Sequence, residues 1–259
     1  MVLLPDERDP LLHGVHEHRL VRGKRLTNFI RESVHDEALV QKLVPSYAPG
    51  CKRILVTNYF FEALNEPNVH LETTALAAIE PDGLLMADGT KHQVDTIVWA
   101  TGFDVISGFP TVYGCNDVEL NQQWQGGDGI VNYLGITVPG FPNFFVFLGP
   151  STALGHNSVV IMIEAQIEYT LQCFQHLAAS ISAGQTQAIE VKREVANAFQ
   201  AWVAQKIQGR VWSKGGCASW YKTTSGTVYT LWPDTTWAYR WATRRANIAR
   251  DFNLLSSPK

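Results

Sequence analysis

Hydrophobic positions recur with a helical period in the second half of the chain. The segment from Ser158 to about Ser180 predicts a long helix, because apolar residues return there at a spacing that lines up one face. Its predicted buried stripe consists of Ile163, Ile167, Leu171, Phe174 and Ala178. A second amphipathic helix is predicted from Val191 to Gln208, where Gly209 provides a C-cap. A shorter helix, capped by Ser33, is predicted from Ser33 to Leu43.

Short apolar runs between turn residues predict the strands. The run at 143–148 is apolar after its first residue, and the run at 94–100 is apolar except for Asp95 and Thr96. Both are typical of buried strands. Residues 84–86 lie between two turn signals and predict a hairpin whose return strand is the run at 94–100. Shorter strands are predicted at 54–56 and 68–71. Helices and strands together predict an α/β fold, but about four strong strands are too few for a complete doubly wound sheet, which indicates a partial protein.

The composition excludes several classes of protein. The 259 residues include 21 Lys and Arg against 24 Asp and Glu, a net charge of −3, so no attraction toward nucleic acid or an anionic membrane is expected. Hydrophobic residues make up 46%, which excludes intrinsic disorder. The stretch from Gly129 to Ile163 has no charged residue, yet prolines and glycines interrupt it, so it predicts a buried or site-lining segment and not a membrane span.

The cysteines indicate a reducing compartment. They are scattered along the chain without a CxxC pair, at Cys51, Cys115, Cys173 and Cys217. We therefore expect free thiols and a cytoplasmic location. The apolar run after Met1 is also too short for a signal peptide.

Two motifs of generic chemistry are incomplete. Three histidines near the N terminus are close enough in sequence to share a zinc ion, namely His13, His16 and His18. No fourth ligand stands out and a solvated polar segment explains them equally well, so no metal site is predicted. Gly149-Pro150-Ser151 begins like the nucleophile elbow GxSxG, but Ala153 stands where the second glycine is needed, which argues against a serine hydrolase.

Four groups of strings follow one another along the chain. They are Cys51-Lys52-Arg53-Ile54 with Tyr59-Phe60 and Asn65-Glu66-Pro67-Asn68-Val69; Asp95 to Asp104, with Ala100-Thr101-Gly102 at a turn; Phe141 to Pro150, followed by Gly155-His156-Asn157-Ser158; and Trp212-Ser213, Cys217 to Tyr221 and Thr243-Arg244-Arg245. Together they resemble the flavin-dependent monooxygenases of the Baeyer–Villiger type, most closely the aryl-ketone branch. The resemblance covers about Pro45 to Arg245, and the order of the four groups makes it specific.

The chain also departs from that family. Its members carry two GxGxxG fingerprints and an FxGxxxHxxxW string, and none of these occurs here; Gly127 and Gly129 are spaced correctly, but Asn132 follows them. The resemblance thus implies a partial FAD/NAD(P)-binding fold, that of a two-dinucleotide-binding-domain flavoprotein lacking its N-terminal half. Residues 1–100 would be the C-terminal remainder of the NADPH-binding domain. Residues 101–259 would be the C-terminal part of the FAD-binding domain with a Trp-rich tail.

The resemblance implies FAD and NADPH as cofactors and assigns residues to them. Arg53 is the implied catalytic residue, facing flavin and nicotinamide, and Lys52 meets the 2′-phosphate of NADPH. The implied cofactor-binding residues are Thr101, Gly102, Gly155, His156, Asn157, Ser158 and Trp220, besides Lys52. A helix that starts at Asn157 and Ser158 presents free N–H groups to the electron-rich edge of the flavin. Without the resemblance, a plain N-cap, a solvated Lys-Arg pair and a core Trp explain the same residues.

The activity implied by the resemblance is oxygen insertion beside a ketone carbonyl. NADPH reduces FAD, oxygen adds at the flavin C4a position, and the resulting peroxide attacks the carbonyl. The implied partners are a small-molecule ketone and O2, with no nucleic acid and no membrane, and either a missing N-terminal half or a further copy of the chain. Two alternatives stay open. One is a flavin monooxygenase that oxidises nitrogen or sulfur, and the other is a non-catalytic remnant or subunit.

Overall fold

The chain divides into two compact units. The computed structural model describes residues 15–55, 57, 59–103, 110–124, 127–155, 157–185 and 188–256, and only the backbone of residues 15–23. Within these ranges the small unit comprises residues 16–46 and 55–103, and the large unit comprises residues 47–54 and 110–256. The segment 47–54, which contains Lys52 and Arg53, thus belongs to the large unit although the chain on both sides of it belongs to the small one.

Three helices form the first part of the small unit: α1 (Val15–Ser33), α2 (Glu37–Leu43) and α3 (Phe60–Ala63). Helix α1 lies in a segment for which the sequence predicted neither a helix nor a strand. The helix predicted at Ser33 begins later, because Asp36 and not Ser33 caps α2; the Asp36 carboxylate accepts a hydrogen bond from the Ala38 amide. Ile30, Val34 and Val40 form the apolar core where α1 and α2 meet.

A three-stranded antiparallel sheet completes the small unit, with strands β1 (Leu76–Glu80), β2 (Gly83–Met86) and β3 (Lys91–His92) in that order. The structure confirms a hairpin at Leu84, but the return strand is β3. Residues 94–100 form no strand, and Trp99 is 67% exposed, so the prediction of a buried strand there is wrong. The described residues of 54–56 and 68–71 are likewise outside strands.

The large unit contains α4 (Leu120–Trp124), α5 (Val159–Ser182), α6 (Arg193–Gln208), α7 (Val211–Lys214), α8 (Thr236–Thr243) and α9 (Ile248–Asp251), and the antiparallel strands β4 (Ala188–Val191) and β5 (Phe252–Leu255). The two long predicted helices are confirmed as α5 and α6, with Ser158 and Gly209 at the predicted caps. The strand predicted at 143–148 is not formed; this segment is held by single hydrogen bonds such as that from the Val146 amide to the Ile136 carbonyl.

Helix α5 buries a different face from the predicted one. Its buried positions are Met162, Ala165, Gln166, Tyr169, Thr170, Cys173, Leu177 and Ser180. Gln166 is fully buried because its amide is satisfied: its oxygen accepts from the Leu148 amide and its nitrogen donates to the Tyr239 hydroxyl. A polar residue with internal partners thus occupies the core, and the predicted stripe is exposed, with Leu171 at 51% and Phe174 at 46%.

The main core of the large unit packs α5, α6 and α8 around Trp232 and Tyr239. The Tyr239 hydroxyl donates to the Leu134 carbonyl, which ties α8 to the uncharged segment that starts at Gly129. This segment is largely buried between residues 130 and 141, in agreement with its predicted burial. Within the described ranges, no helix is long and apolar enough to cross a membrane.

Candidate functional site

A disulfide joins two of the family-like strings. Cys51 and Cys217 are both buried, their Cα atoms lie 6.0 Å apart, and their sulfurs are bonded. The expectation of four free thiols is therefore wrong, because residues 166 positions apart in sequence are neighbours in the fold. Cys115 and Cys173 are free. The bond fixes the segment of Lys52 and Arg53 beside the segment of Trp220.

The backbone around this disulfide is closely packed. The Ala48 amide donates to the Gly215 carbonyl, and a Cβ added at Gly215 would lie 2.7 Å from the Cys51 sulfur. Only glycine therefore fits at position 215. This close approach explains why segment 47–54 is part of the large unit.

Tyr221 is close to Gly155 and Trp220, and it feels the charge of Arg53; all three are predicted site residues. The Arg53 charge acts on its phenol: burial raises the pKa of Tyr221, and Arg53 lowers it to a smaller extent. A Cβ added at Gly155 would lie 3.4 Å from the Tyr221 hydroxyl and 3.7 Å from the Trp212 indole nitrogen. The Trp220 and Tyr221 rings lie 4.6 Å apart, and Trp220 is 53% exposed. We call Arg53, Gly155, Trp212, Trp220 and Tyr221 the Tyr221 cluster.

The loop that carries Gly155 is held by the chain that follows Tyr221. The Ser151 amide donates to the Tyr229 carbonyl, and the Ala153 amide donates to the Thr230 carbonyl. Ser151 adopts a positive φ of 68°, which is uncommon for a residue other than glycine. The strained loop therefore has a fixed place beside the Tyr221 cluster, and it leads directly into α5.

The start of α5 is open to a ligand. The Ser158 side chain makes no capping hydrogen bond to the helix, and no acidic residue lies in the first turn. Asn157 is fixed, because its amide nitrogen donates to the Thr236 hydroxyl and its oxygen accepts from the Ser158 amide. The partial positive charge of a long helix is thus exposed at Ser158, three residues after Gly155.

The remaining predicted site residues are less constrained. The Lys52 ammonium lies 5.2 Å from the centre of the Tyr47 ring, an arrangement that leaves it exposed. Thr101 and Gly102 are exposed and belong to the small unit, whereas the Tyr221 cluster belongs to the large one. His156 lies outside the described residues.

Tyr221 and Trp212 are the cluster members that the sequence did not single out. Both occur in the strings that carry the resemblance, but a Tyr or Trp in a Trp-rich tail has no distinguishing local pattern. Their position beside Gly155 depends on the disulfide and on loop contacts between distant segments. In the described part of the chain, no group of three His, Cys, Asp or Glu side chains is arranged to hold a metal ion.

Comparison with known proteins gives the relatives of this chain. The chain is 36% identical over 232 residues to a Baeyer–Villiger monooxygenase of Pseudomonas aeruginosa and 37% identical over 229 residues to a Baeyer–Villiger monooxygenase of Streptomyces coelicolor. These matches include 88% and 87% of the chain. The chain is homologous to part of the Baeyer–Villiger monooxygenases. No protein-family model matches it.

The chain spans 43% of the length of each of these Baeyer–Villiger relatives. A solved steroid monooxygenase bound to NADP has the same fold, with a TM-score of 0.79 and 25% identity, over 96% of this chain and 46% of that one. The predicted fold class, a partial α/β fold of the FAD/NADP-binding monooxygenases, is confirmed.

Proposed function

We propose that the chain is part of an NADPH- and FAD-dependent monooxygenase that inserts oxygen beside the carbonyl of a small ketone. The observation that carries this proposal is the Tyr221 cluster, in which Arg53 and Gly155 approach one tyrosine next to the open start of α5. A cation and a helix N-terminus without a Ser158 side-chain cap suit a group on which negative charge develops during reaction.

The residues of this site fit a flavin. Gly155 leaves a notch that a side chain would fill, and the free N–H groups after Ser158 can bind the carbonyl-rich edge of the flavin ring. Bound FAD, reduced by NADPH, supplies the chemistry that activates O2. Arg53 holds its positive charge beside the reacting atoms, and burial keeps the Tyr221 phenol protonated as a possible donor. Trp220, half-exposed and with its ring tilted against that of Tyr221, offers a surface to the nicotinamide nucleotide.

The residues for the nucleotide follow from the same proposal. Lys52 is free to reach the 2′-phosphate of NADPH, since its ammonium is exposed above Tyr47. Thr101, Gly102 and His156 are proposed to contact the cofactors. Residues 1–100 are proposed as the remainder of the NADPH-binding domain and residues 101–259 as part of the FAD-binding domain.

We also propose that the enzyme needs the portion of its relatives that this chain does not span. The outer face of α5 supports this proposal, because Ile167, Leu171 and Phe174 leave an apolar stripe in water. A second copy of the chain is the other candidate for covering that stripe. Association in solution distinguishes the two, since a second copy would produce a dimer of the chain alone.

The test is complementation. The chain is co-expressed with the portion of the Streptomyces coelicolor relative that it does not span, and the same portion with the relative's own matching residues is the control. We expect the chain alone to hold no FAD, because it lacks the GxGxxG turn that binds the pyrophosphate. The complemented enzyme should retain FAD and convert an aryl ketone to an ester with NADPH and O2.

The same experiment separates the alternatives. A complemented enzyme that oxidises a thioether but makes no ester would identify a heteroatom monooxygenase. An active control with a chain that confers neither flavin retention nor activity would identify a non-catalytic remnant.

We propose a cytoplasmic location. The Cys51–Cys217 disulfide is the observation against it, because glutathione keeps most cytosolic thiols reduced. Alkylation of thiols in rapidly acid-quenched cells decides this point. Reduced Cys51 and Cys217 would support the cytoplasm, and a quantitative disulfide would contradict it.

A further inference from the structure

A cavity lies in the large unit, apart from the Tyr221 cluster. It has a volume of about 260 Å³ and shares none of its described lining residues with that cluster. The lining residues are Tyr133, Leu134, Val195, Ala198, Phe199, Trp202, Trp232, Ala242, Arg250 and Asp251. An apolar cavity of about 150 Å³ is enough to bind benzene, so this one has room for an aromatic ring with a small substituent.

Aromatic rings form one wall of the cavity. The Phe199 ring is nearly parallel to the Trp232 ring, at 6.4 Å and an angle of 19°, and the Trp202 and Trp232 rings lie 5.1 Å apart. The Trp232 indole donates to the Thr235 carbonyl, which fixes the orientation of its ring. Flat faces held in this way favour a flat aromatic ligand.

Polar groups meet at one end of the cavity. Arg250 donates from Nε and Nη2 to the two oxygens of Asp251, at 2.6 and 2.8 Å. The Tyr133 hydroxyl donates to Asp251 Oδ2 at 3.2 Å. Burial and the Asp251 charge raise the pKa of Tyr133, so its phenol stays neutral. Asp251 is thus satisfied, whereas no hydrogen bond from Nη1 of the half-exposed Arg250 occurs within the described ranges.

This polar end is held rigid by the adjoining backbone. Lys192 donates from its ammonium to the Ala249 and Arg250 carbonyls, and its amide donates to the Asp251 carbonyl. The Arg250–Asp251 pair therefore has a defined position before any ligand arrives, which lowers the entropy that binding must overcome.

We propose that this cavity binds a neutral, flat aromatic carbonyl compound, whose ring lies against Trp202 and Trp232 and whose oxygen accepts a hydrogen bond from Arg250. A neutral ligand is favoured because Arg250 and Asp251 already balance each other, and a ligand carboxylate would add an uncompensated charge beside Asp251. This proposal is independent of the proposed monooxygenase function, since it uses none of the Tyr221 cluster.

The experiment is a titration of the chain with benzamide, followed through the indole N–H signals of its tryptophans by NMR. The signals of Trp202 and Trp232 are assigned with Trp202→Phe and Trp232→Phe variants. We expect both signals to move with one saturable curve and a Kd of about 1 mM or tighter. The signals of Trp237 and Trp241, which do not line the cavity, should stay in place.

Two variants of α6 provide a matched control. Ala198 lines the cavity and Ala201, one turn on, does not. Ala198→Phe should fill the cavity and weaken benzamide binding about tenfold or more, while Ala201→Phe should leave it unchanged. The proposed site would be overturned if both variants weakened benzamide binding equally. It would also be overturned if the parent chain showed no saturable shifts.

Two further ligands test the chemical class. Benzoate has nearly the shape of benzamide but carries a charge, and ethylbenzene lacks the acceptor; both should bind more weakly. Arg250→Lys should weaken benzamide binding while ethylbenzene binding is kept, which also shows that the variant is folded. Benzoate binding as tight as that of benzamide would overturn the assignment of a neutral ligand.

Discussion

Cys51 is bonded to Cys217, and this one covalent link places the segment of Arg53 beside the segment of Tyr221. A backbone hydrogen bond from the Ala48 amide to the Gly215 carbonyl also joins segment 47–54 to the rest of the large unit. The disulfide therefore contributes to the candidate site as well as to stability.

Loss of this disulfide should destabilise the chain. A cross-link between residues so far apart restricts the unfolded state, and its removal costs about 2–5 kcal/mol in small domains. Cys51→Ser should lower the free energy of unfolding by about this amount in urea titrations. Cys115→Ser, at an exposed free thiol, is the control and should stay within about 0.5 kcal/mol. Equal stability of the two variants, or alkylation of Cys51 without reductant, would contradict the disulfide.

The two free cysteines should differ in reactivity. Burial raises the pKa of Cys173 to about 12, so at pH 8 its thiol is protonated and shielded from reagents. Cys115 is exposed. Iodoacetamide at pH 8 should label Cys115 in the folded chain and Cys173 only after urea is added, as peptide mass spectrometry can follow. Labelling of both cysteines at similar rates in the folded chain would show that α5 is not packed as described.

The two long helices were predictable, and of the predicted strands the one at 84–86 is formed. Helices α5 and α6 depend on local patterns, caps and a C-terminal glycine, so their extents agree with the sequence. Apolar runs such as 94–100 and 143–148 have the composition of strands, but a strand also needs a partner with free backbone groups. The described structure pairs neither run in a ladder. The buried face of α5 was missed because hydrophobicity alone does not reveal the internal partners of Gln166.

The candidate site was predictable only as a set of strings. The resemblance identified Arg53, Gly155 and Trp220, but no local pattern joins residues so far apart. Tyr221, which the structure places between them, emerges from the fold through the disulfide and through the loop bonds of Ser151 and Ala153. The role of these residues in binding cofactors stays a prediction.

Gly135 and Gly155 should respond differently to replacement by alanine. Gly135 has a φ of +66°, and an added Cβ would overlap the Thr152 side chain and lie 2.9 Å from the Pro150 carbonyl. Gly135→Ala should therefore cost about 1–3 kcal/mol or more. At Gly155 the added Cβ makes ordinary contacts at 3.4 Å. The free energy of unfolding of Gly155→Ala should therefore stay within about 0.5 kcal/mol of that of the parent chain.

Gly155→Ala should nevertheless affect the site, because the methyl group narrows the notch beside Tyr221. The complemented enzyme with this variant should retain less FAD than the parent after gel filtration, measured by absorbance. Full flavin retention would show that the notch at Gly155 does not receive the cofactor.

Lys52 should distinguish NADPH from NADH. A charge-assisted contact with the 2′-phosphate is worth about 1.5–3 kcal/mol, so Lys52→Ala should raise the KM for NADPH about tenfold or more. The KM for NADH, which lacks that phosphate, should hardly change. Lys42→Ala, at an exposed lysine of α2, is the matched control. Equal increases for both nucleotides would show that Lys52 does not bind the phosphate.

Arg53 should matter more for oxygen transfer than for nucleotide binding. Its charge acts on the Tyr221 phenol. We propose that it also faces the flavin, where negative charge develops only after reduction and reaction with oxygen. Removal of one preorganised charge partner at such a site costs about 10²–10³ in rate. Arg53→Ala in the complemented enzyme should therefore abolish ester formation while the KM for NADPH changes little. The NADPH still consumed should appear as hydrogen peroxide.

The decisive quantity for Arg53 is the amount of ester formed per NADPH consumed, with peroxide assayed in the same reaction. Arg53→Lys keeps the charge but loses the planar fork of donors, so it should restore part of the ester yield if charge dominates and little of it if geometry dominates. Arg193→Ala, at an exposed arginine that begins α6, controls for loss of surface charge and should leave the ratio unchanged. An Arg53→Ala enzyme that still makes nearly one ester per NADPH would remove Arg53 from the mechanism.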